Sequence, residues 1–141
     1  MVICGYQGIG KTTLSKKVCN VVDLESSLFV DMTTYYEVVK YLDSLGKIVL
    51  TSTHSMLRNA LRANGIDYYV VCPKLELREQ WIGKLTKRYQ EDDSDKNFRA
   101  WSKAILQYDT HIKELMEKEK ERVLLIEEMD YFLEDIIKCL L

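Results

Sequence analysis

Gly5-Tyr6-Gln7-Gly8-Ile9-Gly10-Lys11-Thr12 spells G-x-x-x-x-G-K-[ST] in full. At average residue frequencies a chain of this length contains such a match by chance roughly once in 200 cases. Each residue type has a physical reason at its spacing. Gly5, Gly8 and Gly10 permit backbone conformations closed to other residues and let main-chain N–H groups approach a polyphosphate closely. Lys11 is a mobile point charge for the outer phosphates. The Thr12 hydroxyl suits Mg²⁺, which keeps several waters and bridges phosphate oxygens. Ile9 and Thr13 complete the set of candidate phosphate-binding positions, and Thr12 is the one metal ligand the motif supplies. The ligand this chemistry calls for is a nucleoside triphosphate, ATP or GTP, with Mg²⁺.

For that chemistry the motif must follow a strand and open a helix. Val2-Ile3-Cys4 is a short apolar run ending at Gly5, and a helical stretch follows from about Gly10 to Asn20. Further strands are expected at Val21–Leu24, Lys47–Thr51, Asp67–Cys72 and Val123–Ile126. Helices are expected at Asp31–Leu45, Ser55–Asn64 and Met129–Leu141. Between Pro73 and about Glu121 the chain reads as helical, with a break at Gln90–Asn97. Beyond the break Phe98, Trp101, Ile105, Tyr108, Ile112 and Leu115 recur at steps of 3, 4, 3, 4, 3. That narrow seam predicts a helical hairpin with Trp81, Leu85 and Tyr89 as its partner, and it could extend into a homodimer contact. Five apolar strands with helical connections predict an α/β fold, a parallel sheet with helices on both faces.

With these elements in place, the chain resembles the small P-loop kinases of the nucleotide, gluconate and shikimate kinase group. The resemblance rests on Met1–Thr12 and on the strand and helix of Gly46-Lys-Ile-Val-Leu-Thr-Ser-Thr-His54 through Arg58. It implies a three-layer P-loop NTPase fold with a five-stranded parallel sheet of order 2-3-1-4-5. It also implies a helical lid between strands 4 and 5, at about residues 75–120 of a single domain spanning 1–141, and phosphoryl transfer from a triphosphate with Mg²⁺.

Ligands of parallel sheets bind at the C-terminal strand ends. Asp23 stands at the expected end of strand 2, where a carboxylate can accept a hydrogen bond from an acceptor hydroxyl as base or orienter; a place in the metal shell is the alternative. Glu25 is close enough to join or replace it. After strand 3 the run Thr51-Ser52-Thr53 carries no Walker-B acid, as in gluconate-type kinases, and Ser52 is the polar stand-in. His54 and Arg58, four apart, fall on one helical face and are candidates for holding the acceptor. Lids in the resembled group supply arginines to the transferring phosphate; Arg88, ahead of the flexible break, is preferred over Arg78. Glu127 and Glu128, after strand 5, are expected near the nucleobase.

A chain of 141 residues with 47% hydrophobic and 30% charged residues has the composition of one folded domain and excludes wholesale disorder. The net charge of −2 gives no general affinity for nucleic acid. No apolar run approaches a membrane span, and Gly5, Gln7, Gly8 and Lys11 interrupt any early secretory signal. Four cysteines without a C-x-x-C pair and only two histidines argue against zinc and for a reducing, cytoplasmic setting. A GTPase is disfavoured because Asp43-Ser-Leu-Gly46 lies before strand 3 and no N-K-x-D occurs. The expected activity is a phosphotransferase acting on a small acceptor, a nucleoside or nucleotide first. The alternatives are an NTP hydrolase or regulatory protein, and a binding module of the kind carried by phages and mobile elements.

Overall fold

Strands covered on both faces read as continuous apolar runs, and Val2, Ile3 and Cys4 are fully buried. They form β1 (Val2–Gly5), the middle strand of a five-stranded parallel sheet, in a computed structural model that describes all residues from Met1 to Leu141. β2 (Val21–Asp23), β3 (Ile48–Thr51), β4 (Tyr68–Pro73) and β5 (Val123–Ile126) complete the order β2-β3-β1-β4-β5. The register sets Ile3 opposite Leu50 on one side and Tyr69 on the other. The α/β class, the parallel sheet and the strand order agree with expectation. Six helices connect the strands: α1 (Lys11–Lys17), α2 (Met32–Ser44), α3 (Ser55–Ala63), α4 (Arg78–Glu91), α5 (Asp95–Glu119) and α6 (Leu133–Leu140). No helix is long and apolar enough to cross a membrane. Cys4 and Cys72 are buried and unpaired, and burial pushes their thiols up to about 11 and about 12, as inert core residues require.

The differences from expectation lie at element ends. α1 stops at Lys17 because Val18 turns to extended backbone, three residues earlier than the pattern suggested. The break between α4 and α5 shrinks to three residues. The Ser94 hydroxyl caps α5 by accepting from the Asn97 N–H, and Asn97 Nδ2 donates back to the Asp92 carbonyl at 2.8 Å. α6 starts only at Leu133, where the Asp135 carboxylate reaches back to the Phe132 N–H at 2.9 Å.

The predicted hairpin of α4 and α5 is present, and Trp81, Leu85, Tyr108, Ile112 and Leu115 join the same core as the strands. The seam drifts, however. A strict alternation of 3 and 4 fits 3.5 residues per turn, whereas a straight helix has 3.6. Ala104 is buried in place of Ile105, and Phe98 turns outward. At the tip Tyr89 stacks on Trp101 with centroids 5.2 Å apart, and the Trp101 indole N–H donates to Thr86 Oγ1 at 3.0 Å.

The other end of α5 is tied down by charge. Arg58, on α3, is buried. Its Nε donates to the Thr53 carbonyl at 2.9 Å, Nη1 to Glu119 at 2.6 Å and Nη2 to Glu114 at 3.0 Å. Glu119 also accepts from Arg62 at 2.6 Å and from the Tyr68 hydroxyl at 2.5 Å. Burial alone would raise the Glu119 carboxyl; the hydrogen bonds from Tyr68, Arg58 and Arg62 outweigh it and hold it below the usual range. Arg58 also lines the cleft described below, so its place among the acceptor candidates stands beside this structural role. All three guanidinium nitrogens are engaged in the fold, joining α3 to α5. Removing one partner of a buried pair leaves a charge without compensation. Arg58→Met is therefore expected to lose about 3–5 kcal/mol of unfolding free energy in chemical denaturation. A loss under about 1 kcal/mol would contradict the structural role of Arg58.

Candidate functional site

The chain leaves β1 at Gly5 and enters α1 at Lys11 through a loop whose turns depend on glycine: φ is +86° at Gly8 and +99° at Gly10. The Ile9 side chain is buried beneath the loop, and a Cβ on Gly5 would collide with it. Four successive carbonyls of the loop, Gly5 to Gly8, accept from side-chain donors. Lys11 Nζ donates to the Gly5 and Tyr6 carbonyls at 2.8 and 3.3 Å. The Trp81 indole donates to the Gln7 carbonyl at 2.9 Å, and Lys84 Nζ to the Gly8 carbonyl at 2.6 Å. Burial pulls the Lys11 ammonium down to about 8; Asp23 opposes that pull and Lys96 adds to it.

Beside Lys11 lies a corner of opposed charges. The Thr12 hydroxyl donates to Asp23 Oδ2 at 2.8 Å and accepts from Lys96 Nζ at 3.2 Å, and Lys96 pairs with Glu25 at 2.5 Å. Asp23 reaches this corner because β2 ends there, two strands from β1. Lys96 reaches it from the first turn of α5.

The loop and the corner open into a cleft of about 1160 Å³ at the C-terminal ends of the strands. Its wall carries seven Lys or Arg against five Asp or Glu, in a chain whose whole balance is 20 against 22, so positive charge is concentrated there. α5 contributes one long face, including Lys96, Arg99, Lys103 and His111. Arg99 and Lys103 have no carboxylate partner in the fold, unlike Arg58 and Lys96. At the start of α3 His54 shares a hydrogen bond of 3.2 Å with Ser26 Oγ, and His111, on α5, shares one of 3.1 Å with Thr53 Oγ1. Burial, with Lys103 and Arg58 nearby, lowers the His54 imidazole, and burial is the chief cause at His111 too, which favours the neutral form of both rings. No Phe, Tyr or Trp lines the cleft. Ser52 Oγ and Gln7 Nε2, both in its wall, are buried without a hydrogen-bond partner. A wall with orphaned polar groups and unpaired cations suits a polar, anionic ligand.

The sequence-derived candidates Gly5, Gly8, Gly10, Lys11, Thr12, Thr13, Asp23, Glu25, Ser52, His54, Arg58 and Arg88 all line this one cleft, Arg58 with its guanidinium tied to Glu114 and Glu119. Arg88 donates to Asn97 Oδ1 at 2.9 Å. Arg78 is elsewhere, paired with Glu79 and 3.9 Å from Asp109, and is not part of the wall. Asp23 contacts the Thr12 hydroxyl, which draws it toward the metal alternative. Glu127 and Glu128 border a separate cavity of about 420 Å³ with Leu125 and Tyr131. Lys96, Arg99, Lys103 and His111 were missed. The first of them lies next to the acidic run Asp92–Asp93, which resembles a break; the others lie on the face of α5 opposite its apolar seam, where charged residues at helical spacing read as an ordinary solvated face. No group of three or more His, Cys, Asp or Glu could hold a metal by itself, so a cation here would need ligands from a bound molecule as well. No family model, curated protein or solved structure matches the chain.

The depressed Lys11 value has a consequence in the ligand-free protein. Between pH 8 and the ordinary lysine value of 10.5 the unfolded chain holds the Lys11 proton and the folded one releases it. Stability from this group therefore rises with pH across that window. Lys11→Met is expected to be more stable than the wild type at pH 7, with the gap closing as pH approaches 10.5 in urea melts. A gap that stays constant with pH would contradict the burial of this ammonium.

Proposed function

We propose that this chain is a phosphotransferase of the P-loop kinase type, moving the γ-phosphate of a nucleoside triphosphate to a small anionic acceptor, a nucleotide in preference to a nucleoside. The observation that carries this reading is the Gly5–Thr12 loop. It joins the central strand to a helix with glycine at both positive-φ positions, and it ends in Lys11 and in Thr12 bonded to Asp23. Thr12 and Asp23 are the side chains that would hold Mg²⁺ together with the phosphates, and the metal supplies charge neutralisation of the phosphate oxygens when bound.

The rest of the work falls to side chains and main-chain groups already described. The loop N–H groups bind the phosphates. Lys11, now on two carbonyls of its own loop, carries its charge to the outer phosphates. Arg88 and Lys96, at the hairpin tip, offset charge on the transferring group. The unpaired Arg99 and Lys103 hold the acceptor's own anionic group, which favours a phosphorylated acceptor over a neutral one. His54, neutral and steadied by Ser26, receives the hydroxyl proton as the acceptor oxygen bonds to phosphorus and the diphosphate leaves.

A screen of nucleoside monophosphates, nucleosides and sugar phosphates with Mg²⁺ and ATP or GTP tests the reading. Nucleotide consumption is expected only with a phosphorylated acceptor. Phosphate release without any acceptor would favour hydrolysis instead, and binding without turnover a binding module. Lys11→Ala is expected to cut kcat by about 10²-fold or more. Asp23→Asn is expected to raise the Mg²⁺ concentration needed for half-maximal rate. A fall in kcat with unchanged Mg²⁺ dependence would make Asp23 the base in place of His54.

A further inference from the structure

Two contacts from α4 to the loop have no part in the chemistry just described. The indole N–H of Trp81, a residue 1% exposed, donates to the Gln7 carbonyl, and the ammonium of Lys84 donates to the Gly8 carbonyl. Both donors are fixed in place. Trp81 and Leu85 press on Gly8 so closely that a Cβ there would lie 3.3 Å from the indole nitrogen and 3.0 Å from Leu85 Cδ2. The Lys84 ammonium stands 4.4 Å over the Trp81 ring and 5.9 Å from that of Phe132.

The peptide plane turns these contacts into orientation. In a trans peptide the carbonyl and the N–H of the following residue point in opposite directions. A Gln7 carbonyl held on the α4 side aims the Gly8 N–H away from α4, and a held Gly8 carbonyl does the same for the Ile9 N–H. Neither N–H donates to any group in the protein. Gly8 would otherwise rotate freely, since glycine tolerates either sign of φ. A flipped peptide would present an oxygen to an anion in place of a donor.

We propose that Trp81 and Lys84 are positioning residues for anion binding, holding the Gly8 and Ile9 N–H groups toward the cleft by fixing the two carbonyls behind them. The role rests on the phosphate-binding reading of the loop and extends it to a helix that sequence patterning assigns only to core packing. Because the clamp acts on main-chain donors, it serves the phosphates and is indifferent to the base.

The test uses the full chain, with Mg²⁺ and either ATP or inorganic tripolyphosphate as probe. Trp81→Phe keeps an aromatic ring and removes the N–H without changing charge. Lys84→Met keeps the stem and removes the donor. Gly83→Ala is the control on the same helix, where an added Cβ meets nothing within 4 Å. Calorimetry is expected to show both clamp variants binding ATP and tripolyphosphate about fivefold or more weakly, by the same factor for the two probes, with Gly83→Ala unchanged. With tripolyphosphate bound, amide proton exchange at Gly8 and Ile9 is expected to slow in the wild type and Gly83→Ala, and that slowing to be lost in the clamp variants. Folded variants that bind both probes within twofold of wild type would overturn the proposal, as would a loss confined to ATP. Should Trp81→Phe fail to fold, Lys84→Met decides, since Lys84 is only partly buried. A wild-type protein that binds neither probe would instead bring down the phosphate-binding reading itself, and the clamp with it.

Discussion

A tight glycine loop has to find donors for its own carbonyls, and that constraint ties the Gly5–Lys11 loop to the rest of this molecule. Four successive carbonyls, Gly5 to Gly8, each have a side-chain donor: Lys11 for the first two, Trp81 for the third and Lys84 for the fourth. An unpartnered carbonyl at such a turn would compete for the place of the ligand and carry a desolvation cost of about 1–3 kcal/mol. The solution draws on two sources. Lys11 comes from the end of the loop itself, at the first residue of α1. Trp81 and Lys84 belong to α4.

The hairpin is thereby part of the loop's construction rather than an appendage. Its two ends are held by different physics. At the base, Glu119 and Glu114 of α5 meet Arg58 in a buried network that also recruits Arg62 and Tyr68. At the tip, Tyr89, Phe98 and Trp101 form an aromatic cluster, and Ser94 and Asn97 close the turn. Paired buried charges fix geometry, because each partner is costly to leave alone. Aromatic contacts near the surface are more easily exchanged, and they sit where Arg88 and Lys96 approach the cleft.

What could be read from the sequence follows the range of the interactions. The loop motif is local: strand, glycines, Lys11 and Thr12 are adjacent in the chain, and the structure brings them together at the end of the central strand as the spacing required. The apolar runs located all five strands: β1 and β3 are buried throughout, and the edge strands β2 and β5, though partly exposed, are still apolar enough to read. Their order was available only through a resemblance, since pairing partners lie far apart in sequence. Arg58 shows the limit. Spacing four from His54 suggests a shared helical face, yet His54 is the N-cap of α3 and stands outside the helix, and nothing nearby announces Glu119, 61 residues on, as the partner of Arg58. Trp81 is a second case. Its periodic position foretold burial correctly, yet burial of a carbon surface does not reveal where the one indole N–H points. Lys96 was lost to a misplaced boundary: Asp92, Asp93 and Ser94 resemble a long break until Ser94 is seen to cap the next helix.

The charges at the corner account for why the proposed ligand has to bring both signs. Lys11 is held among carbonyls and partly stripped of water, with its ammonium weakened to about 8. Asp23 and Glu25 are satisfied by the Thr12 hydroxyl and by Lys96. A free anion entering here would relieve Lys11 while crowding two carboxylates, and a free divalent cation would relieve the carboxylates while crowding Lys11 and Lys96. A polyphosphate carrying its own cation relieves both. It offers oxygens to Lys11 and the loop N–H groups, and a positive centre to Thr12 and Asp23. Lys96, displaced from Glu25 by that positive centre, has phosphate oxygens as its nearest new partners. The corner is thus balanced by an internal cation, Lys96, and that balance favours the proposed metal-bound triphosphate over either of its components.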